Sequence, residues 1–102
     1  MAETFNEIME QELFVVEDVF EISGRGCVLV PGIPVDYPHP IKIRDPIRLA
    51  RPDGSSVETF VAGIELIGAT PIAPRPIPIL MSPELRKSEI PIGTKVIVNL
   101  CL

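Results

Sequence analysis

Proline is the residue that most restricts this chain. Of its 102 residues, 12 are proline, and they come in clusters. Pro31, Pro34, Pro38 and Pro40 crowd one decade, and Pro71, Pro74, Pro76 and Pro78 another. A proline lacks the backbone N–H and fixes φ, so it ends helices and is kept out of central strands. The runs left between the clusters are too short for crossover helices, and their apolar residues recur at every second position. That is the period of a half-buried strand.

Phe14, Val16, Phe20 and Ile22 alternate within Leu13–Ser23, with Glu17 and Glu21 on the other face. Gly24-Arg25-Gly26 interrupts the run and Cys27-Val28-Leu29-Val30 resumes it, which predicts a hairpin. Residues 31–40 are read as a loop. In the next strand Ile41, Ile43, Ile47 and Leu49 alternate with Lys42, Arg44 and Arg48, so one face is buried and the other basic. Arg51-Pro-Asp-Gly-Ser is a turn. Val57–Ile67 follows as a strand with Phe60, Ala62, Ile64 and Leu66 inward, and 68–76 is a second proline-rich loop. Ile77–Met81, carrying Pro78, reads as an edge or bulged strand. Ser82 and Pro83 open one helical turn over 83–88, and Lys95–Leu102 closes the chain as a strand.

About six short strands and one helical turn predict an all-β domain. A small closed six-stranded antiparallel β-barrel over residues 13–102 is preferred, because closure removes open sheet edges. Residues 1–12 are set apart as an acidic arm. There Thr4-x-x-Glu7 has capping-box spacing, and Phe5, Ile8, Met9 and Leu13 could share one helical face.

Charge divides unevenly along the chain. The formal net charge is −5, yet residues 1–21 hold seven acids and no base, while seven acids and nine bases follow. From Ile22 onward the chain is therefore slightly basic, at +2. Hydrophobic residues at 46% allow a real core and exclude disorder as the main state. Cys27 and Cys101 lie in apolar runs, as free thiols do. The start Met-Ala-Glu-Thr-Phe-Asn-Glu lacks a basic region and an apolar stretch, and no run reaches the 18 or so apolar residues of a membrane span. A cytoplasmic protein without membrane contact is the expectation.

Few residues offer chemistry. Gly24-Arg25-Gly26 could form a nest of N–H groups that binds an anion. Alternatively its glycines only permit the turn, and Arg25 pairs with Asp18 or Glu17. Lys42, Arg44 and Arg48, with Arg51, could meet phosphates, or could be a solvated face balanced by acids; stacking aromatics are scarce among them. His39 is the single histidine and has no partners at ligand spacing, so no metal and no cofactor are expected. Glu17 and Asp18 point to opposite faces of a strand and cannot act as an acid–base pair. Catalysis is not expected. Pro71-Ile-Ala-Pro74-Arg-Pro76 contains a Pro-x-x-Pro, but its prolines serve first to stiffen the loop.

Val16-Glu17-Asp18-Val19-Phe20-Glu21-Ile22-Ser23-Gly24-Arg25-Gly26-Cys27-Val28 resembles the opening of domain 2 in translational GTPases such as elongation factor Tu, which reads Ile/Val-Glu-Asp-Val-Phe-x-Ile-x-Gly-Arg-Gly-x-Val. In the same order, Ile41-Lys42 with Asp45 resembles that family's Ile-Lys-x-Gly-Asp turn. Val61-Ala62-Gly63-Ile64-Glu65-Leu66 is similar to its Val-x-Gly-Ile/Val-Glu-Met strand, and Lys87-Ser88-Glu89-Ile90 with Gly93 to Arg-Glu-Glu-Ile-x-x-Gly. The resemblance spans about residues 13–100 and implies a closed six-stranded barrel. It also implies that Glu65 stands where the family holds the aminoacyl end of tRNA. Ile67, Gly68 and the segment Ile77–Pro83 depart from the family pattern and lack its arginine. There is no Gly-x-x-x-x-Gly-Lys-Ser/Thr phosphate loop. The expected role is a non-catalytic module that binds another protein, without GTPase activity. An RNA-, tRNA- or ribosome-binding module is the alternative. The candidate binding residues are Arg25, Lys42, Arg44, Arg48 and Glu65.

Overall fold

The computed structural model describes residues 8–65 and 76–101. They form seven antiparallel strands: β1 (Ile8–Val15), β2 (Asp18–Ile22), β3 (Gly26–Ile33), β4 (Pro46–Ala50), β5 (Ser56–Ile64), β6 (Ile77–Met81) and β7 (Lys95–Cys101). One 3-10 turn, Lys87–Glu89, lies between β6 and β7. The strand order is β1-β7-β4-β5-β6-β3-β2.

That order forces curvature. The outermost strands of a flat seven-stranded sheet would stand about 29 Å apart. Yet β1 and β2 are consecutive, and the chain from Val15 to Asp18 can reach no more than about 11 Å. The sheet must therefore roll until its two ends meet at Val16 and Glu17. The Val16 N–H donates to the Thr94 carbonyl and its own carbonyl accepts from Gly93, both at 2.8 Å; the Glu17 N–H donates to Val30 on the opposite end, also at 2.8 Å. Inside the roll lie Leu29, Leu49, Val61, Ile79, Met81 and Val96, all fully buried. Full burial of one such side chain contributes about 1.5–3 kcal/mol.

The closed six-stranded barrel is thus corrected. The sheet has seven strands, and β1 and β2 are edges that do not pair with each other. The extra strand comes from the segment read as an arm. Ile8, Met9 and Leu13, placed above on one helical face, lie in β1, where Met9 faces Leu100 and Gln11 faces Val98. Thr4, Phe5 and Glu7 lie outside the described residues. The expected strand Leu13–Ser23 is cut in two at Val16–Glu17, where the chain leaves one ladder and joins another. A one-residue slip exchanges faces. Phe14 and Val16 are buried as expected, but beyond the break Val19 turns inward and Phe20 outward.

Other expectations shift for similar local reasons. β3 continues through Pro31 to Ile33, because the β3–β6 register slips between Leu29 and Ile33 and the missing N–H falls in that bulge. Pro78 sits opposite the same slip, so β6 lies between β5 and β3 and is not an edge. Residues 41–45 are not part of β4: the Asp45 carboxylate accepts from the Lys42 N–H at 2.8 Å and closes a turn, leaving Ile43 exposed. On β5, Val61 faces the core and Phe60 does not, and a bulge follows between Val61 and Gly63. The helical turn over 83–88 becomes a tight turn, in which the Leu85 N–H donates to the Ser82 carbonyl at 3.0 Å, followed by the 3-10 turn. The hairpin at Arg51–Ser55 forms as read, with the Gly54 N–H donating to the Arg51 carbonyl at 3.0 Å. Leu66 to Arg75, including most of the second proline-rich loop, lie outside the described residues.

Candidate functional site

Arg25 stands at the tip of the β2–β3 hairpin. Gly24 beside it has a φ of 78°, a conformation open to glycine at little cost, and the Arg25 N–H donates to the Ile22 carbonyl at 3.0 Å. That bond consumes one of the N–H groups an anion nest would need. The guanidinium reaches across to β5, and Nη2 donates to Glu65 Oε1 at 2.6 Å. Arg25 therefore pairs with an acid, but not with Glu17 or Asp18. The Asp18 carboxylate instead accepts the Val19 N–H at 2.8 Å. Beside the hairpin tip runs an open groove of about 350 Å³, lined by Glu21, Ser23, Gly24, Pro83 and Arg86 among others.

Lys42, Arg44 and Arg48 do not share a strand face. Only Arg48 is on β4, where it lies opposite Glu58 on β5 and Ile97 on β7. Its Nε donates to Glu10 Oε2 at 2.8 Å. The hydrogen bond it donates to Glu10, ahead of the Glu10 and Glu58 charges, raises the affinity of this guanidinium for its proton. Lys95 lies 3.8 Å from Glu12. The outer face of β1, β7, β4 and β5 is therefore a mixed ladder, with Glu10, Glu12 and Glu58 against Arg48 and Lys95. Reading residues 1–12 as an arm hid Glu10 and Glu12, although their two-residue spacing is that of one strand face. Arg51 is structural: its Nε donates to the Glu89 carbonyl at 2.7 Å and Nη1 to Ser55 Oγ at 3.2 Å.

Lys42 and Arg44 occupy the turn before β4. Arg44 has a φ of 80°, the one positive φ at a non-glycine among the described residues. It is pinned there because its N–H donates to the Val61 carbonyl at 2.7 Å while the Val61 N–H donates to Asp45 at 2.9 Å. Neither side chain meets an acid within ion-pair distance among the described residues. The neighbours Ile43 and Phe60 are 58% and 43% exposed. Phe60 faces Pro46 across the ladder.

Among the described residues, groups suited to catalysis are not drawn together. Cys27 is fully buried and its Sγ contacts the Leu85 carbonyl at 3.5 Å. Burial, helped by the Glu21 charge, pushes its thiol pKa up, opposite to what a thiolate nucleophile needs. His39 packs edge-on to Tyr37 with ring centroids 5.6 Å apart, and the Tyr37 hydroxyl donates to Gln11 Oε1 at 3.1 Å. Among the described residues no group of three or more His, Cys, Asp or Glu is placed to hold a metal ion. No helix among them is long and apolar enough to cross a membrane. Comparisons of the chain with protein-family models, with curated proteins and with solved structures found no match.

Proposed function

We propose that this chain is a non-catalytic binding module, built like domain 2 of the translational GTPases, that docks onto another protein. The observation that carries the reading is the neutralisation of Arg48 by Glu10 at 2.8 Å. A nucleic-acid groove uses a track of available cations interleaved with stacking rings. Here Arg48, Lys95 and Arg25 each face their own glutamate. The outer surface offers bulk apolar side chains instead, Phe20, Ile43 and Phe60, and aromatic residues are enriched at protein interfaces. The kinship with domain 2 draws support from Arg25 meeting Glu65. The two residues belong to separate segments of the resemblance. The buried Cys27 thiol suits a reducing, cytoplasmic compartment.

Lys42 and Arg44 favour a second reading, a translation-associated RNA, tRNA or ribosome contact. Salt separates the two. Raising salt from about 50 to about 200 mM weakens a phosphate-dominated complex by orders of magnitude. The test is cross-linking of the tagged protein in lysate of its native cells, brought to each salt level before the cross-linker is added, followed by identification of the adducts. A protein adduct that survives the salt step supports the protein-binding module. RNA or ribosomal adducts lost with salt, and lost in the Arg44→Glu, Arg48→Glu double variant, would replace it with the second reading.

A further inference from the structure

We propose that the corner formed by Ile43, Arg44 and Phe60 is the docking point for an acidic, apolar segment of the partner protein. This rests on the binding-module reading above and names the chemistry of the partner. Three independent observations meet there.

The first is conformational. A left-handed backbone is unfavourable for an L-residue with a long side chain, and glycine or asparagine would occupy it at lower cost. The turn is already determined by the Lys42–Asp45 and Arg44–Val61 hydrogen bonds. Among the described residues the Arg44 guanidinium makes no hydrogen bond or ion pair. A strained position held by its surroundings, with its side chain directed to solvent, points to use of that side chain by a ligand.

The second is shape. An open groove of about 430 Å³ is lined by Arg44 and Phe60. The paired hydrogen bonds between residues 44–45 and Val61 set Ile43 and Phe60 on neighbouring segments, both exposed. Exposed apolar side chains beside a cation can take a partner's aliphatic or aromatic residue with a flanking carboxylate.

The third is charge. Arg25, Arg48 and Lys95 meet Glu65, Glu10 and Glu12. Lys42 and Arg44 meet no acid among the described residues. Asp45, next to Arg44, accepts from the Lys42 N–H, and Glu58 lies opposite Arg48 on the ladder. The corner is a positive spot on a chain of net charge −5, so its complement is acidic.

The test is an NMR titration of the full chain, labelled with nitrogen-15. The probes are the synthetic peptide Asp-Asp-Phe-Glu-Leu-Asp, the same peptide with lysine at its acidic positions, and an oligouridylate. The acidic peptide is expected to shift the amides of Ile43, Arg44, Phe60 and Val61, and the lysine peptide is not. Arg44→Glu should weaken the binding about tenfold or more, as should Phe60→Thr, which keeps a strand-compatible side chain. Shifts centred elsewhere, or unchanged affinity in a folded Arg44→Glu variant, would overturn the proposal. So would oligouridylate competing for the same amides, or concentration-dependent shifts there without peptide, which would mark a second copy as occupant. Failure of the module reading looks different: cross-linking then yields no protein adduct. Equal adducts from wild type and Arg44→Glu would remove this corner alone.

Discussion

Arg25 and Glu65, 40 residues apart in sequence, meet through a 2.6 Å hydrogen-bonded ion pair that ties the β2–β3 hairpin to the end of β5. The partners are unequal, the Arg25 side chain 56% exposed and that of Glu65 16%. Screening by water limits such a pair to about 0.2–1 kcal/mol. A double-mutant cycle of Arg25→Ala and Glu65→Gln, read by denaturant midpoints, should give a coupling within that range that shrinks as salt rises. Strict additivity of the two substitutions would show that the contact contributes nothing.

Arg44 holds a φ of 80°, a left-handed conformation that glycine occupies at less cost than arginine. Arg44→Gly should stabilise the fold by about 1 kcal/mol, the order of the left-handed penalty. Part of this is returned as the greater freedom of glycine in the unfolded chain. Denaturant midpoints with the m-value unchanged are the measure, and a lower midpoint would contradict the strain argument.

Gly32 has a φ of 107° in the bulge of β3, and a Cβ there would strike the Ile77 carbonyl on β6. Both backbone conformation and space forbid a side chain. Gly32→Ala should cost more than about 2 kcal/mol, beyond the backbone penalty alone. Gly54→Ala, in the open hairpin where nothing lies within 4 Å of a new Cβ, should cost only that penalty. Equal losses in the two variants would mean that β3 and β6 do not approach so closely.

The Cys27 thiol carries a pKa raised chiefly by burial. A raised folded-state value means the neutral thiol is preferred in the native state. Its contribution to stability is fully present below the unfolded thiol pKa and is lost as pH rises through the higher folded value. In a Cys101→Ser background, alkylation of Cys27 by iodoacetamide at neutral pH should be slow and should follow unfolding as denaturant is added. Fast alkylation of the native protein would refute the burial.

The inward alternation of Ile47 and Leu49, the turn at Arg51–Ser55 and a closing strand from Lys95 were legible from alternation and turn residues alone. Where alternation misled, a local irregularity stood behind it. Phe20 and Phe60 turned outward because a strand break at Val16–Glu17 and a bulge after Val61 re-phase their strands. The break at Val16–Glu17 has no residue signature as plain as a proline or a glycine, whereas Gly63 marks the β5 bulge. Of the candidate cations, Arg25 and Arg48 were found with partners, Glu65 and Glu10, that no sequence spacing indicates.

Sequence by itself determined the class of this protein. Proline clusters and period-two alternation leave antiparallel strands as the structure that satisfies both backbone hydrogen bonding and burial. Tertiary structure alone decided the rest: that residues 8–12 extend the sheet, that the sheet rolls until its edges meet at Val16 and Glu17, and which acid faces which arginine. Those outcomes depend on strand order and register. They are set by contacts summed over the whole sheet, whereas alternation and turn chemistry act within a few residues.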